Sequence, residues 1–222
     1  MAKRKKSTAG KMSIDDMRQM INKAAGMDVA HNLEKENPTD VKEWIPTGST
    51  WLDSIIKKGV KAGIPIGKVI ELAGLESTGK SYMALQIAAN AQKMGITVVY
   101  FDAESAIDSK FVEAIGVDVS KMIYIQPPSV EFVLQTIETL LESSENRMLF
   151  IWDSLAFTPA LSDVEGDFNP NSSMAVKARV LSKGMQKLMI PIAVSQSTLL
   201  VLNQLKTNIP TGINARVAAM TT

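Results

Sequence analysis

Eight consecutive residues limit what this chain can fold into more than any other feature. Gly74-Leu75-Glu76-Ser77-Thr78-Gly79-Lys80-Ser81 follows the pattern G-x-x-x-x-G-K-[ST]. It stands between a short apolar strand, residues 68–73, and a helix over residues 80–94 marked by Met83, Leu85, Ile87, Ala88 and Ala91. The two glycines let the backbone curl until successive N–H groups point at one place, and the start of the following helix adds partial positive charge there. Such a nest takes phosphate oxygens. Lys80 is placed to reach the β- and γ-phosphates of a nucleotide, and the Ser81 hydroxyl to ligate Mg²⁺. Gly74, Glu76, Ser77, Thr78, Gly79, Lys80, Ser81 and Tyr82 are the candidate nucleotide contacts of this loop.

Downstream, strands and helices alternate. Residues 97–102 (TVVYFD), 122–125, 148–153 (MLFIWD) and 198–203 (TLLVLN) read as strands; residues 110–115, 130–143 and 174–189 read as helices. Strands apolar along their whole length, alternating with helices, predict an α/β P-loop NTPase core with a mostly parallel sheet covered by helices on both faces. Asp153 ends one of these strands, where an aspartate holds Mg²⁺ through water beside Ser81. Trp152, one residue earlier, reads as core packing. Glu104 lies just past another strand, and strand C-termini in such sheets open onto the ligand crevice, so its carboxylate is a candidate general base.

Charge and composition narrow the rest. The chain has no cysteine and one histidine, His31, which excludes disulfides, thiolate metal sites and cysteine catalysis. No apolar run approaches 18 residues, so no membrane partner is expected. A cytoplasmic location fits, and the start lacks the apolar segment of a signal peptide. Of 24 basic side chains, Lys3, Arg4, Lys5, Lys6 and Lys11 stand in the first eleven residues without an acid, and the other 19 face 23 acidic ones. Residues 1–12 therefore read as a basic flexible tail, and the body is not a nucleic-acid binder by bulk charge. Ser13 with Asp16 resembles a capping box, followed by an apolar stripe of Ile14, Met17, Met20, Ile21 and Ala24 and a stop at Asn37-Pro38. Residues 13–44 are thus expected to form an N-terminal helical segment and linker, and 45–222 the ATPase core.

Together these segments resemble the RecA-type recombinases, the ATP-dependent strand-exchange family, from about residue 45 to 206. The resemblance is carried by Thr47-Gly48-Ser49 with Leu52-Asp53, by Ile64-Pro65-Ile66-Gly67-Lys68-Val69-Ile70-Glu71, by Asp102-Ala103-Glu104-Ser105-Ala106-Ile107-Asp108, by Trp152-Asp153-Ser154 and by Leu202-Asn203-Gln204. It implies a RecA-like fold, ATP and Mg²⁺ as ligands, and DNA-dependent ATPase activity. Glu104 falls on the water-activating glutamate, Asp108 on the residue that hydrogen-bonds adenine, Phe111 on the ring that covers the adenine face, and Gln204 on the γ-phosphate sensor. Lys80, Glu104 and Gln204 are the implied catalytic residues. The implied partners are single-stranded DNA, double-stranded DNA during strand exchange, and further copies of the chain in a filament.

Two family DNA loops correspond to residues 162–173 and to a segment after Lys206. The first carries Asp163, Glu165 and Asp167 and no basic residue, so contact there would come from backbone amides and from Arg179 on the helix behind. Lys177, Lys183 and Lys187 on that helix are either further phosphate contacts or a solvated face, and Gln186 stands where the family commonly has arginine. The second segment, 207–222, reads as a long polar loop, with Lys206, Asn208 and Arg216 as candidate contacts. The family's later core strands are not in this sequence, which predicts an open edge at residues 68–73. Two other readings stay open: a nucleotide-binding partner without turnover that co-assembles with a complete recombinase, and a hexameric helicase-type motor on the same fold.

Overall fold

The computed structural model describes residues 12–26, 28–34, 40–59, 62–165, 174–208 and 219–221. The chain divides into two compact units, Met1–Asp40 and Val41–Thr222. The first contains α1 (Ile14–Ala25). Ser13 Oγ accepts from the Asp16 N–H at 3.1 Å, and the Asp16 carboxylate accepts from the Ser13 N–H at 3.3 Å. The expected capping box is therefore formed, and it satisfies two donors that a helix start leaves over. Ile14, Met17, Met20 and Ile21 are exposed. The basic tail at 1–11 and the stop at Asn37-Pro38 lie outside the described residues.

The second unit runs β1 (Trp44–Ile45), α2 (Thr50–Ile56), β2 (Ile64–Pro65), β3 (Val69–Gly74), α3 (Lys80–Lys93), β4 (Thr97–Asp102), α4 (Ser109–Ile115), a 3-10 turn at Val119–Lys121, and β5 (Met122–Ile125). It continues through α5 (Val130–Ser143), β6 (Met148–Asp153), α6 (Leu161–Glu165), α7 (Met174–Val194), β7 (Thr198–Gln204), β8 (Lys206–Asn208) and β9 (Ala219–Thr221). Five strands form one sheet in the order β3-β7-β6-β4-β5, and every ladder in it is parallel. From β3 the chain crosses to β4, steps outward to β5, then returns through β6 to β7, which fills the gap beside β3.

Alternation along the strands builds two cores. Val98, Tyr100, Leu149, Ile151, Leu200 and Leu202 face α3 residues such as Leu85 and Ile87. Val99, Phe101, Phe150, Trp152, Leu199 and Val201 pack in a second cluster with α5 and α7 residues such as Val133, Ile137, Leu188 and Ile192. Successive side chains leave a strand on opposite faces, so a strand covered on both sides must be apolar throughout. Each large side chain so buried contributes about 1.5–3 kcal/mol. β6 is buried at every position, whereas β3 alternates exposed and half-buried residues because it is the outermost strand, beside β7 alone. The open edge predicted for residues 68–73 is present among the described residues.

The structure departs from the sequence reading at three places. The helix expected to end at residue 189 continues through Pro191 to Val194. Proline costs one intrahelical bond, but Leu188 and Ile192 are buried in the second core and hold the helix across it. The segment 162–173 begins as α6 rather than as loop, where the Asp163 carboxylate accepts from the Ala160 N–H at 3.2 Å; residues 166–173, with Asp167, lie outside the described residues. The segment 207–222 is not a plain loop either. Its ends form an antiparallel ribbon, β8 with β9, pairing Lys206 with Thr221 and Asn208 with Ala219.

Candidate nucleotide site

Parallel strands bring their C-terminal ends to one side of the sheet, and the candidate residues gather there. Gly74 at the end of β3 stands beside Gln204 of β7 in the ladder, and Asp102 of β4 beside Asp153 of β6. Gly74 O also accepts from the Leu205 N–H at 3.0 Å, tying the loop's first residue to the end of β7.

The loop is shaped by backbone more than by side chains. Gly79 (φ 87°) and Ser77 (φ 57°) take left-handed conformations, which turn consecutive N–H groups toward one point. At Gly74 a Cβ would approach Thr78 Oγ1 to 3.0 Å, so a side chain there would require Thr78 to give way by a few tenths of an ångström. Thr78 Oγ1 donates to Leu75 O at 2.8 Å. Lys80 Nζ donates to Leu75 O at 2.7 Å and to Gly74 O at 3.2 Å, folding its ammonium over the loop. α3 begins with no side-chain cap and no acid in its first turn, which leaves its N-terminal amides and partial positive charge to an anion. Ser81, half-buried, is the second residue of that helix.

The opposite wall is assembled from three strand ends. Glu104 Oε1 accepts from Ser154 Oγ at 2.8 Å and from Gln204 Nε2 at 3.4 Å. Ser154, adjoining β6, is buried, while Glu104 is exposed. The backbone that carries Glu104 is held by Asp102, whose buried carboxylate accepts from the N–H groups of Glu104 (3.1 Å), Ala106 (3.4 Å) and Ile107 (3.2 Å). The Ala103 N–H donates to Asp153 O at 2.7 Å, fastening the same turn to β6.

Two phenols complete this wall. Tyr100 OH donates to Asp153 Oδ2 at 2.7 Å, and Tyr124 OH donates to Asp102 Oδ2 at 2.8 Å. Burial first, then the charge of Asp153 and the hydrogen bond to it, push the Tyr100 phenol well above its ordinary value. Burial, then the bond to Asp102, raises Tyr124 as well. Both phenols therefore stay protonated at neutral pH and act as hydrogen-bond donors. Asp153 with Ser81 offers oxygen ligands only, the donor type that Mg²⁺ takes, so the residues present fit that ion.

Farther along, Asp108 caps α4, its carboxylate accepting from the Lys110 N–H at 3.4 Å. Phe111 on α4 lies half-exposed with its ring centroid 6.3 Å from that of Tyr82 on α3, tilted by 47°. The expected core role of Trp152 matches its full burial, with Nε1 donating to Thr158 Oγ1 at 2.8 Å. The candidate DNA contacts do not gather in the same way. Arg179 is exposed on α7, and Lys206 and Asn208 lie on β8. Arg216 lies outside the described residues. Lys177 Nζ donates to Leu155 O at 2.9 Å and Lys187 pairs with Glu138, so neither is simply a solvated cation.

Sequence reading missed Ser154, Tyr100, Tyr124 and the anchoring work of Asp102. One signal was available: a tyrosine inside a wholly apolar strand must find a partner for its hydroxyl. Which partner depends on strand order, which no local pattern carries.

These features coincide with similarity to known proteins. The family model described as the RecA N-terminal domain matches residues 12–217. A protein named Protein RecA from Fusobacterium nucleatum is 34% identical over 197 residues, 89% of this chain and 50% of that protein. Its counterpart in Streptomyces avermitilis is 36% identical over 174 residues, 78% of this chain and 45% of that protein. The one from Wolbachia sp. subsp. Brugia malayi is 33% identical over 204 residues, 92% and 56% respectively. The chain spans about half the length of these curated relatives.

Proposed function

The chain belongs to the RecA family, and from that premise we propose that it is a DNA-dependent ATPase that binds single-stranded DNA for homologous recombination and repair. The observation that carries the proposal is the Glu104 carboxylate, aimed by Ser154 and Gln204 at the strand ends beside a phosphate-shaped loop.

In this reading the amides from Gly74 to Ser81, the ammonium of Lys80 and the start of α3 bind the triphosphate, with Glu76, Ser77 and Thr78 shaping the loop and Tyr82 following it. Ser81 and Asp153 hold Mg²⁺, Asp153 through water. When bound, Mg²⁺ supplies positive charge against the phosphate oxygens. Glu104 orients water and accepts its proton, a step for which an exposed carboxylate held by two donors is prepared. The Gln204 amide, 3.4 Å from Glu104, exchanges that contact for the terminal phosphate and so reports the nucleotide state to the chain beyond β7. Phe111 covers the base and Asp108 hydrogen-bonds it beside its capping role. Arg179, Lys206, Asn208 and Arg216 contact the DNA backbone, first of a single strand and then of a duplex during strand exchange. Copies of the chain form a filament, in the cytoplasm and without a membrane partner. Among the described residues no helix is long and apolar enough to cross a membrane.

The test is ATP hydrolysis measured with and without single-stranded DNA. Stimulation by DNA is expected. Nucleotide binding without turnover in either condition overturns the enzymatic reading in favour of a co-assembling partner, and closed rings in electron micrographs speak for a motor.

A further inference from the structure

Two aspartates end neighbouring strands, and each is held by a tyrosine placed in the same relation to it. Tyr100 is the ladder partner of Ile151, and its hydroxyl reaches two residues farther along β6 to Asp153. Tyr124 is the ladder partner of Tyr100, and its hydroxyl reaches two residues farther along β4 to Asp102. Such diagonals fall within reach of a long side chain. The two aspartates nevertheless have different tasks. Asp102 accepts three backbone N–H groups besides the phenol and shapes the turn that carries Glu104. Among the described residues the Asp153 carboxylate accepts from Tyr100 alone, through Oδ2 at 2.7 Å. Tyr100 is itself fully buried between the sheet and α3, so its ring cannot swing and its hydroxyl sets the rotation of the carboxylate.

We infer that Tyr100 is a positioning residue for the metal: by taking Oδ2 of Asp153 it turns the other oxygen toward the ion beside Ser81. This rests on the nucleotide-binding reading above. Groups that orient a metal-holding carboxylate typically change metal affinity by about 10–100-fold when removed. Because Asp153 works through water, the lower end is expected. A phenylalanine at 100 keeps the ring and the packing and removes only the donor.

The experiment is calorimetric titration of a non-hydrolysable ATP analogue into the full chain, first in EDTA and then at stepped Mg²⁺ concentrations, for the unsubstituted chain, Tyr100→Phe, Tyr124→Phe and each tyrosine change combined with Asp153→Ala. Tyr100→Phe is expected to raise the Mg²⁺ concentration for half-maximal enhancement by about 10-fold, with unchanged affinity in EDTA. Tyr124→Phe leaves the Mg²⁺ requirement alone. In the Asp153→Ala background Tyr100→Phe has no further effect, because its route to the ion is gone. An unchanged Mg²⁺ requirement in Tyr100→Phe, an equal shift in Tyr124→Phe, or a shift that persists without Asp153 overturns the inference and leaves the proposed function standing. Absence of any Mg²⁺-dependent binding by the unsubstituted chain overturns both.

Discussion

The two walls of the candidate site are built by different means. The phosphate loop is contiguous, residues 74–81, and is shaped by left-handed backbone at Ser77 and Gly79 and by the start of one helix. The facing wall draws Glu104, Asp153, Ser154 and Gln204 from the ends of three strands, and hydrogen bonds between side chains distant in sequence hold it. A local device works wherever a strand, a glycine turn and a helix follow one another. A distributed one exists only when the sheet order is right. The loop should therefore tolerate distant changes that disable the wall, and the wall's failures should appear in turnover before they appear in nucleotide binding.

Substitutions can separate the two. The largest effect is expected for Lys80→Ala, which removes the loop's one ammonium and should abolish measurable hydrolysis, a loss of at least about 10²–10³-fold in initial rate. An unchanged rate would end the enzymatic reading. Glu104→Gln keeps the side chain's shape and one oxygen that can still accept from Ser154 and Gln204, but turns the other into an amide donor and removes the base. Turnover should fall about 10²–10⁴-fold while nucleotide affinity stays near that of the parent, read by calorimetry beside a rate assay. Equal losses in both measurements would merge the two walls into one unit.

Asp102→Ala frees three amides and a phenol behind Glu104. A stability loss of about 1–3 kcal/mol by urea denaturation is expected, together with reduced turnover and retained binding. If binding fell in parallel with turnover, the anchoring task assigned to Asp102 would be wrong. The smallest effect concerns pH. Burial and the Asp153 charge raise the Tyr100 phenol above the ordinary phenol value of 10.0 in the folded chain. Between that value and the folded one, the native state holds a proton that the unfolded state has lost, so stability present below pH 10 falls as pH rises beyond it. Denaturation midpoints in Tyr100→Phe should decline less steeply above pH 10 than in the parent, and identical slopes would remove the linkage.

Much of this was legible beforehand, for reasons that differ by element. The capping box at Ser13 and Asp16 depends on residues three apart, and local chemistry decided it. The three inner strands, β4, β6 and β7, were legible because burial on both faces demands uninterrupted apolar runs, as in residues 148–152. Illegible were features in which tertiary contacts overrode a local signal. Pro191 reads as a helix stop, yet Leu188 and Ile192 sit in the core and carry α7 past it. The polar run after Lys206 reads as loop, and only pairing across it makes its ends a ribbon. The buried tyrosines showed that partners were needed without showing which.

From its sequence alone, then, the chain's membership in a parallel α/β class could be decided and the glycine loop between β3 and α3 located, since both rest on periodicity and on backbone freedom within a few residues. Which carboxylate faces which donor was left to the tertiary structure. Glu104 meets Ser154 and Gln204, and Asp153 meets Tyr100, only because β7 and β4 flank β6 in the sheet. Strand order is set by how whole helices cover the two faces, a global balance of burial that no short segment encodes.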